Sequence, residues 1–504
     1  MSVMPPTTHW TLATLLEGIV AVAPADDRPV SGIALDSRQV GPGDLFLALR
    51  GLKSHGGRFA ADAVARGAVA VLLDEGVEPP AELAVPVWPV VKLGRRVGQI
   101  AARFHADPSA SMPLVGITGT NGKSSCAHYI AQVFAAEGIA CGQIGTLGHG
   151  VNGALEPQSN TTPDAVQLQG LLAGFRDQGV QRVAMEVSSH ALDQYRVDGT
   201  HFDVAVFTNL TRDHLDYHGD MPTYARAKER LFHMPGLRRA VVNLDDPWGR
   251  RFVESIPAGV AVTGYGLAAE VDAPAALDER VVGSDVVCSR QGLHFRVAVG
   301  GARAEVISPL YGRFNVANLL AVLAVLLDAG VPLARAAQRL AALHTVPGRM
   351  EAFGGGAGQP LAVVDYAHTP DALSQALKAL REHIDGRIWC VFGCGGERDR
   401  GKRPLMGAAA EAGADRVIVT NDNPRSEDPY QIIEEILAGM QYPDDALVVP
   451  ERGEAIAAGL AGAHANDVIL VAGKGHETVQ CVGDRCRPFS DRETVQRLLQ
   501  EGWR

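Results

Sequence analysis

The run LVGITGTNGKSS at residues 114–125 carries the ingredients of phosphate binding. An apolar stretch enters a glycine-rich turn, and Lys123 and Ser124 open a helical pattern, CAHYIAQVFAAEG. Backbone N–H groups of such a turn, with the helix N-terminus behind them, cradle phosphates. Gly119, Thr120, Asn121, Gly122 and Ser125 would form the cradle. Lys123 would reach the β- and γ-phosphates, and Ser124 a magnesium ion. The spacing departs from the usual phosphate loop: five residues before Gly122 stands Ile117, with glycines at 116 and 119 instead. GTNGKS between a strand and a helix still favours nucleotide binding over a chance turn.

Further chemistry lies at other predicted strand ends. AMEVSSHALDQYRV (184–197) puts Glu186 at one, and VFTNLTRDHLDYHGDM (206–221) puts His214 after another. YARAKERLF (224–232) reads as a helix carrying Lys228. Singly, these read as a surface acid, a loop histidine and a solvated lysine. Beside a phosphate loop they suggest magnesium ligation, although imidazole is an unusual partner for a cation that prefers oxygen. A different edge carries TNDNPRSEDP (420–429), following the apolar run RVIVT. Asn-Pro is ordinary turn chemistry. The alternative is a ligand site at a strand's C-terminal edge, where open α/β sheets bind ligands, with Arg425 gripping a carboxylate.

The elements that would position these residues are legible in the hydrophobic pattern. The chain has 504 residues, too long for one core, so several domains are expected. Residues 1–107 carry short strands (VSGIALD, DLFLAL, AVAVLLD, VPVWPVVKL) and a few helices. From 108 to 345 apolar strands (LVGITG, RVAMEV, VAVFTN, RAVVNL) alternate with helical patterns, which predicts βαβ units and a mainly parallel sheet. A strand-rich insert at 264–310 interrupts them, and LLAVLAVLLDAGV from Leu319 reads as a buried helix. After the glycine-rich joint FGGGAGQP, residues 346–504 alternate again (LAVVDYA, RIWCVFGC, RVIVTND, ALVVP, DVILVAG).

A hydrophobic content of 46% and a charged content of 20% fit a soluble globular protein. A net charge of −11 disfavours wholesale nucleic-acid binding. The seven cysteines form no CxxC pair and are expected as free thiols. No signal-peptide pattern opens the chain and no run is long enough to span a bilayer, so a cytoplasmic location is expected.

GTNGKSS, TTP (161–163), EVSSHAL, TNLTRDHLDYHG, YARAKERLF, YGRFNVAN, PGRME and DYAHTPD occur in one order. In this the chain resembles the Mur ligase family, which builds the peptidoglycan stem peptide. DSRQVGPGDLFLALRG and SHGGRF resemble the uridine-nucleotide domain of the member that adds the third residue. The resemblance covers nearly the whole chain. It implies an α/β protein of three domains: a small mixed N-terminal α/β domain binding the uridine-nucleotide substrate (1–107), a central P-loop ATPase-like parallel-sheet domain (108–345), and a C-terminal Rossmann-like domain for the amino acid (346–504).

It also implies roles. ATP activates a carboxylate as an acyl phosphate, and an amine displaces the phosphate to give an amide. Lys123 stabilises the transferring phosphoryl group, Ser124 and Glu186 hold one magnesium ion, and His214 and Lys228 belong to a second metal site. The lysine matching Lys228 is carbamylated in the family, which makes it an anionic oxygen ligand. Asn315 and Asn318 lie near the adenine, Arg349 meets the phosphates, and Asp365 marks a hinge, with His368 beside it. Ser37, Arg38, His55 and Gly56 match the uridine-diphosphate motif, and Asn160, Thr161, Thr162, Ser188, Gln194 and Arg196 the sugar–peptide part. Asp36 and Arg38 have a local turn pair as their alternative.

The form DNPR (Asp422, Asn423, Pro424, Arg425), with Arg398, Gly473 and Glu477, is that of members adding meso-2,6-diaminopimelate. A guanidinium pairs bidentately with the second carboxylate that lysine lacks. The expected partners are thus UDP-N-acetylmuramoyl-L-alanyl-D-glutamate, diaminopimelate, ATP and Mg2+, acting on a monomer. The alternatives are a lysine-adding member, a folylpolyglutamate synthetase-like ligase, and a nucleotide-dependent regulatory protein.

Overall fold

The computed structural model describes residues 10–51, 55–76, 83–267, 276–356 and 358–502. Residues 1–9, part of the N-terminal stretch that carries no signal-peptide pattern, lie outside them. The architecture is α/β. The chain divides into two compact units, Met1–Tyr265 with Val271–Arg280, and Gly266–Glu270 with Val281–Arg504.

The first unit begins with a small sheet of four parallel strands, Gly32–Ala34, Asp44–Ala48, Ala70–Asp74 and Val87–Val90. Leu45, Leu47, Leu72 and Ile100 pack its core. The second sheet of this unit is centred on Leu114–Thr118, flanked by parallel strands Arg182–Glu186 and Val204–Phe207. All five residues of Leu114–Thr118 are buried. Such a run, apolar on both faces, marks a strand covered by helices on either side. The register sets Glu186 beside Ile117 and Phe207 beside Thr118, so three strands end together at their C-terminal edge.

Three antiparallel strands, Glu279–Ser289, Gly292–Val299 and Ala302–Ser308, form the expected insert and belong to the second unit from Val281 onward. The helix Phe314–Asp328 follows, and eleven of its fifteen residues are buried. A helix apolar all round belongs inside a core. The unit's main sheet runs Glu351–Gly354, Leu361–Asp365, Val468–Ala472, Ile388–Phe392, Arg416–Val419, Leu447–Val448. Its first pairing is antiparallel and the rest are parallel. The C-terminal ends of these parallel strands carry Asp365, Thr420 to Arg425 and the glycine turn after Ala472.

The expectation of seven free thiols is overturned. Cys481 and Cys486 are joined by a disulfide. They face each other across the hairpin Val479–Val482 and Arg485–Pro488, in which only Gly483 and Asp484 connect the strands. The pairing arises from hairpin register, which cysteine spacing alone does not reveal. Burial pushes the thiols of Cys126, Cys141, Cys390 and Cys394 up to about 12, so none is poised as a nucleophile. Among the described residues no helix is long and apolar enough to cross a membrane.

Candidate functional site

In the first unit the glycine turn is laced to the end of the neighbouring strand. Thr120 N–H donates to the Asn209 carbonyl (2.8 Å), and Asn121 N–H to Asn209 Oδ1 (3.0 Å). Thr208 Oγ1 donates to the Asn121 carbonyl at 2.6 Å. Gly119 has φ 148°, and a Cβ there would stand 1.9 Å from Thr208 Oγ1. Gly122, at φ 86°, precedes the helix Lys123–Ala136, which starts with no side-chain cap. Its first N–H groups are therefore left for a ligand.

Lys123 Nζ folds back onto the carbonyls of Gly119 (3.0 Å) and Thr120 (2.9 Å). Burial lowers its ammonium's pKa, while Glu186 and Asp213 oppose the shift. Lys228 departs from the solvated-lysine reading: it is 1% exposed. Its Nζ donates to the same Gly119 carbonyl at 2.7 Å and lies 4.6 Å from the centre of the Tyr224 ring. Burial, then the Lys123 charge, push its pKa well below that of ordinary lysine. The His214 ring also meets Tyr224, at 6.1 Å, so the structure brings both residues to one side chain. His214 has φ 52°, a left-handed conformation uncommon outside glycine.

Glu186 is 1% exposed and ends its strand. Oε1 accepts from Thr146 N–H (2.7 Å) and Oε2 from Thr146 Oγ1 (3.2 Å). Thr146 Oγ1 is 3.0 Å from Thr161 Oγ1, and Thr162 Oγ1 donates to the Glu186 carbonyl (2.8 Å). Thr146 was not singled out by sequence, and only this packing reveals it. Among the described residues no three His, Cys, Asp or Glu side chains form a metal cage. Ser124 and Glu186 still offer oxygen donors of the kind magnesium takes alongside substrate phosphates and water. An unmodified Lys228 ammonium does not fit as a ligand.

The sugar–peptide set splits. Arg196 Nη2 donates to Gln194 Oε1 (2.6 Å), its Nη1 reaches the Thr162 carbonyl (3.3 Å), and Gln194 Nε2 reaches the Tyr217 hydroxyl (3.1 Å). Gln194 and Arg196 line a cleft of ≈950 Å³ with Arg50, Lys92, Arg95 and Tyr217. Ser188 caps the helix Ser189–Asp193, whereas Asn160 is exposed and donates to its neighbour Ser159 Oγ. Ser37, Arg38 and Gly56 line a neighbouring cleft. There Arg38 forms the local pair with Asp36 (2.6 Å), which holds the Asp36 carboxyl down to about 2. His55 Nδ1 accepts from Gly57 N–H, and its buried Nε2 has no partner in the described structure.

In the second unit, Asn315 does not cap its helix; Arg313 stands at that position. Asn315 Nδ2 donates to the Tyr311 carbonyl (2.8 Å), and Asn318 Nδ2 to Asn315 Oδ1 (3.0 Å). Asp365 accepts from Met350 N–H and Ala367 N–H, both at 2.8 Å. Burial raises its carboxyl against those bonds and the Arg349 charge. Arg349 stacks 4.9 Å over Tyr366, whose carbonyl meets His368 Nδ1.

Arg425 is no solvated turn residue. It is half-buried at φ 53°, a conformation held only where surroundings over-determine it. Its N–H donates to the Cys481 carbonyl (3.1 Å), and its carbonyl accepts from Gly483 N–H (2.6 Å). The disulfide hairpin thus clamps it on both sides. Nη1 donates to the Gly396 carbonyl at 2.7 Å. A Cβ on Gly395 would stand 3.1 Å from that Nη1 and 3.7 Å from Arg398 Cγ, so both arginines border one glycine. Arg403, overlooked in the sequence, is fully buried beneath them and binds Glu427, Glu435 and the Gly395 carbonyl. A second overlooked scaffold is Arg452. It pairs with Asp491 at 2.7 Å and donates to the carbonyls of Ala472 (2.8 Å) and Asn421 (3.3 Å), tying two strand ends together. Asn423 Nδ2 donates to Glu477 Oε2 at 3.0 Å.

Comparison with known proteins finds relatives over nearly the whole chain. The Mur ligase family catalytic domain matches residues 29–105, the Mur ligase middle domain 117–326, and the Mur ligase glutamate ligase domain 348–475. A relative from Alkalilimnicola ehrlichii is 52% identical over 97% of this chain and 99% of its own. One from Coxiella burnetii is 48% identical over 94% of this chain and 96% of its own. Both are named UDP-N-acetylmuramoyl-L-alanyl-D-glutamate–2,6-diaminopimelate ligase. A solved structure of an enzyme with that name is 36% identical, with a TM-score of 0.76, covering 98% of this chain and 99% of that one. Matched by three Mur ligase domains in succession and by relatives about half identical over nearly its whole length, the chain belongs to the Mur ligase family.

Proposed function

We propose that the chain is an ATP-dependent ligase that joins meso-2,6-diaminopimelate to UDP-N-acetylmuramoyl-L-alanyl-D-glutamate in peptidoglycan precursor synthesis. It works as a cytoplasmic monomer of three domains, 1–107, 108–345 and 346–504. The observation that carries the substrate choice is Arg425. A guanidinium held in a left-handed turn beside Arg398 matches a carboxylate, and relatives named for diaminopimelate span nearly the whole chain.

In this reading a carboxylate of the nucleotide dipeptide attacks the γ-phosphorus of ATP, giving an acyl phosphate and ADP. The neutral amine of diaminopimelate then adds to the acyl carbon, and the tetrahedral adduct loses the amine's proton to solvent and expels phosphate to leave the amide. The glycine turn and the helix start at Lys123 bind the phosphates, and Lys123 swings from its own loop carbonyls onto the transferring group. Ser124 and Glu186 would hold Mg2+, which would supply neutralisation of phosphate charge. Lys228, once carbamylated, would be a ligand of a second metal. Its burial favours the neutral amine that reacts with carbon dioxide, and carbamylation removes a cation from beside Lys123. His214, against the same Tyr224 ring, serves that second metal.

Asn315, Asn318, Arg349 and Asp365 serve the nucleotide. The cleft residues Gln194 and Arg196, with Thr161, Thr162 and Ser188, hold the sugar and peptide. Ser37, Arg38, His55 and Gly56 serve the uridine diphosphate, and Asn160 belongs with the sugar–peptide residues. Phosphate release measured with meso-diaminopimelate, L-lysine and L-ornithine in the presence of ATP and the nucleotide dipeptide tests the reading. Strong release with diaminopimelate alone is expected; lysine turnover without diaminopimelate turnover would overturn it. For Lys228, the alanine variant is expected to be inactive and to recover with short-chain carboxylic acids, and full activity without them would refute the carbamate.

A further inference from the structure

Lys474 has no role in what precedes, and its surroundings are unusual. It stands between Gly473 (φ 117°) and Gly475 (φ 53°). A Cβ on Gly473 would lie 2.7 Å from Asp422 Oδ2, and one on Gly475 2.7 Å from Tyr366 Cβ. Only glycines allow this path, and it turns the Lys474 side chain fully inward, at 0% exposure. The ammonium has three N–H donors and three acceptors: Val479 O (2.7 Å), Glu477 Oε2 (3.0 Å) and Asn423 Oδ1 (3.2 Å). Every donor is spent within the protein. The GKG turn therefore differs from a phosphate cradle, whose lysine must be free to move to its ligand.

Those bonds fix the orientation of two residues of the amino-acid site. Asn423 Oδ1 also accepts from Cys481 N–H (3.0 Å), so its Nδ2 faces Glu477 Oε2. Glu477 Oε2 thus takes two donors, while Oε1 takes none among the described residues. The carboxylate remains 33% exposed. We propose that Lys474 is the positioning residue of the diamino-acid site: it anchors Glu477 through Oε2, sets the Asn423 amide, and leaves Glu477 Oε1 aimed at the substrate's ammonium. The inference rests on the function proposed above. A buried lysine is required because Glu477 and the nearby Asp422 would otherwise place two carboxylates together, with the Arg452 guanidinium as the remaining buried cation facing Asp422. With Lys474 present, the Lys474–Glu477 pair is neutral before substrate arrives, and the ammonium is read by direction instead of by an excess of negative charge.

Steady-state kinetics of the full chain test this. Lys474→Met removes the donors at similar length. It is expected to raise KM for diaminopimelate by about 30-fold or more, as for truncation of one partner of a buried charge pair. KM for ATP is expected to hold. Glu477→Gln should also raise KM for diaminopimelate, and the double variant should be no worse than the worse single one, because the two residues act as a unit. Lys474→Gln keeps one donor, is expected to be intermediate, and serves if the methionine variant does not fold. An unchanged KM for diaminopimelate in both variants, a loss confined to kcat, or additive losses in the double variant would overturn the role of Lys474. Absence of diaminopimelate turnover by the unsubstituted protein would instead overturn the proposed function.

Discussion

Lys123 and Lys228 share one acceptor, the Gly119 carbonyl, at 3.0 and 2.7 Å, whereas Lys474 has one acceptor for each of its three donors. Both regions lie at the C-terminal edge of a parallel sheet and both present a lysine near glycines. They differ in how completely charge is neutralised before a ligand arrives. At the phosphate turn two cations crowd one carbonyl, and burial drives the pKa of both down. Such a site gains by admitting anions, whether phosphate or a carbamate on Lys228 itself. At the amino-acid loop Lys474, Arg452 and Arg403 are consumed by Glu477, Asp491, Glu427 and Glu435. The groups left over, Arg425, Arg398 and Glu477 Oε1, have the signs needed for a substrate end bearing a carboxylate and an ammonium. On the function proposed above, a lysine next to glycine would be a mobile phosphate ligand at Lys123 and a fixed strut at Lys474.

The largest expected effect breaks the phosphate side. Lys123→Ala should lower kcat by about 10²–10³-fold, the range for losing one preorganised charge-stabilising donor. Diaminopimelate binding, followed by calorimetry, should persist. A variant that keeps near-normal turnover would remove the distinction between mobile and fixed lysines. Next, Arg425→Ala should reduce kcat/KM for diaminopimelate by about 30-fold or more, with KM for ATP unchanged. Equal losses for both substrates would mean that Arg425 holds the fold and does not read the carboxylate.

Much of this contrast lay outside the reach of sequence. Strands such as Leu114–Thr118 and Val468–Ala472 were legible because parallel strands covered on both faces are continuous apolar runs. The positions of Lys123, Glu186 and Asp422 at strand ends followed directly. Lys228 was not legible as a buried residue, since its partner Gly119 is 109 residues away and its helix also carries charged neighbours. Local pattern also cannot tell a lysine with spent donors, as in GKGHE, from one with free donors beside a glycine turn. The conformation of Arg425 depends on the hairpin at 479–488, so it follows from tertiary contact and not from the preference of Asn-Pro-Arg.

That hairpin supplies a smaller test. Cys486→Ser should leave ATP use unchanged and raise KM for diaminopimelate several-fold, because Arg425 keeps its backbone bonds to Cys481 and Gly483 while the hairpin loses its cross-link. Thiol titration of the unfolded protein under non-reducing conditions should find five reactive cysteines. Seven would remove the clamp from the account.

The smallest effect concerns the scaffold beneath the arginines. Glu427 accepts from Arg403 and Arg400, and these bonds hold its carboxyl down to about 2, from an ordinary 4.5. A carboxyl with a depressed folded-state pKa contributes stability that is fully present above its unfolded value. The contribution declines as pH falls below about 4.5 and is gone once pH passes through about 2. Glu427→Gln lacks this dependence. The urea midpoints of the two proteins should therefore differ most near neutral pH, and the gap should shrink steadily as pH drops from 4.5 toward 2. A gap that stays constant across that window would show that Glu427 acts through packing. The charges under the amino-acid loop would then not be mutually neutralised, and its contrast with the phosphate turn would rest on Lys474 and Arg452 alone.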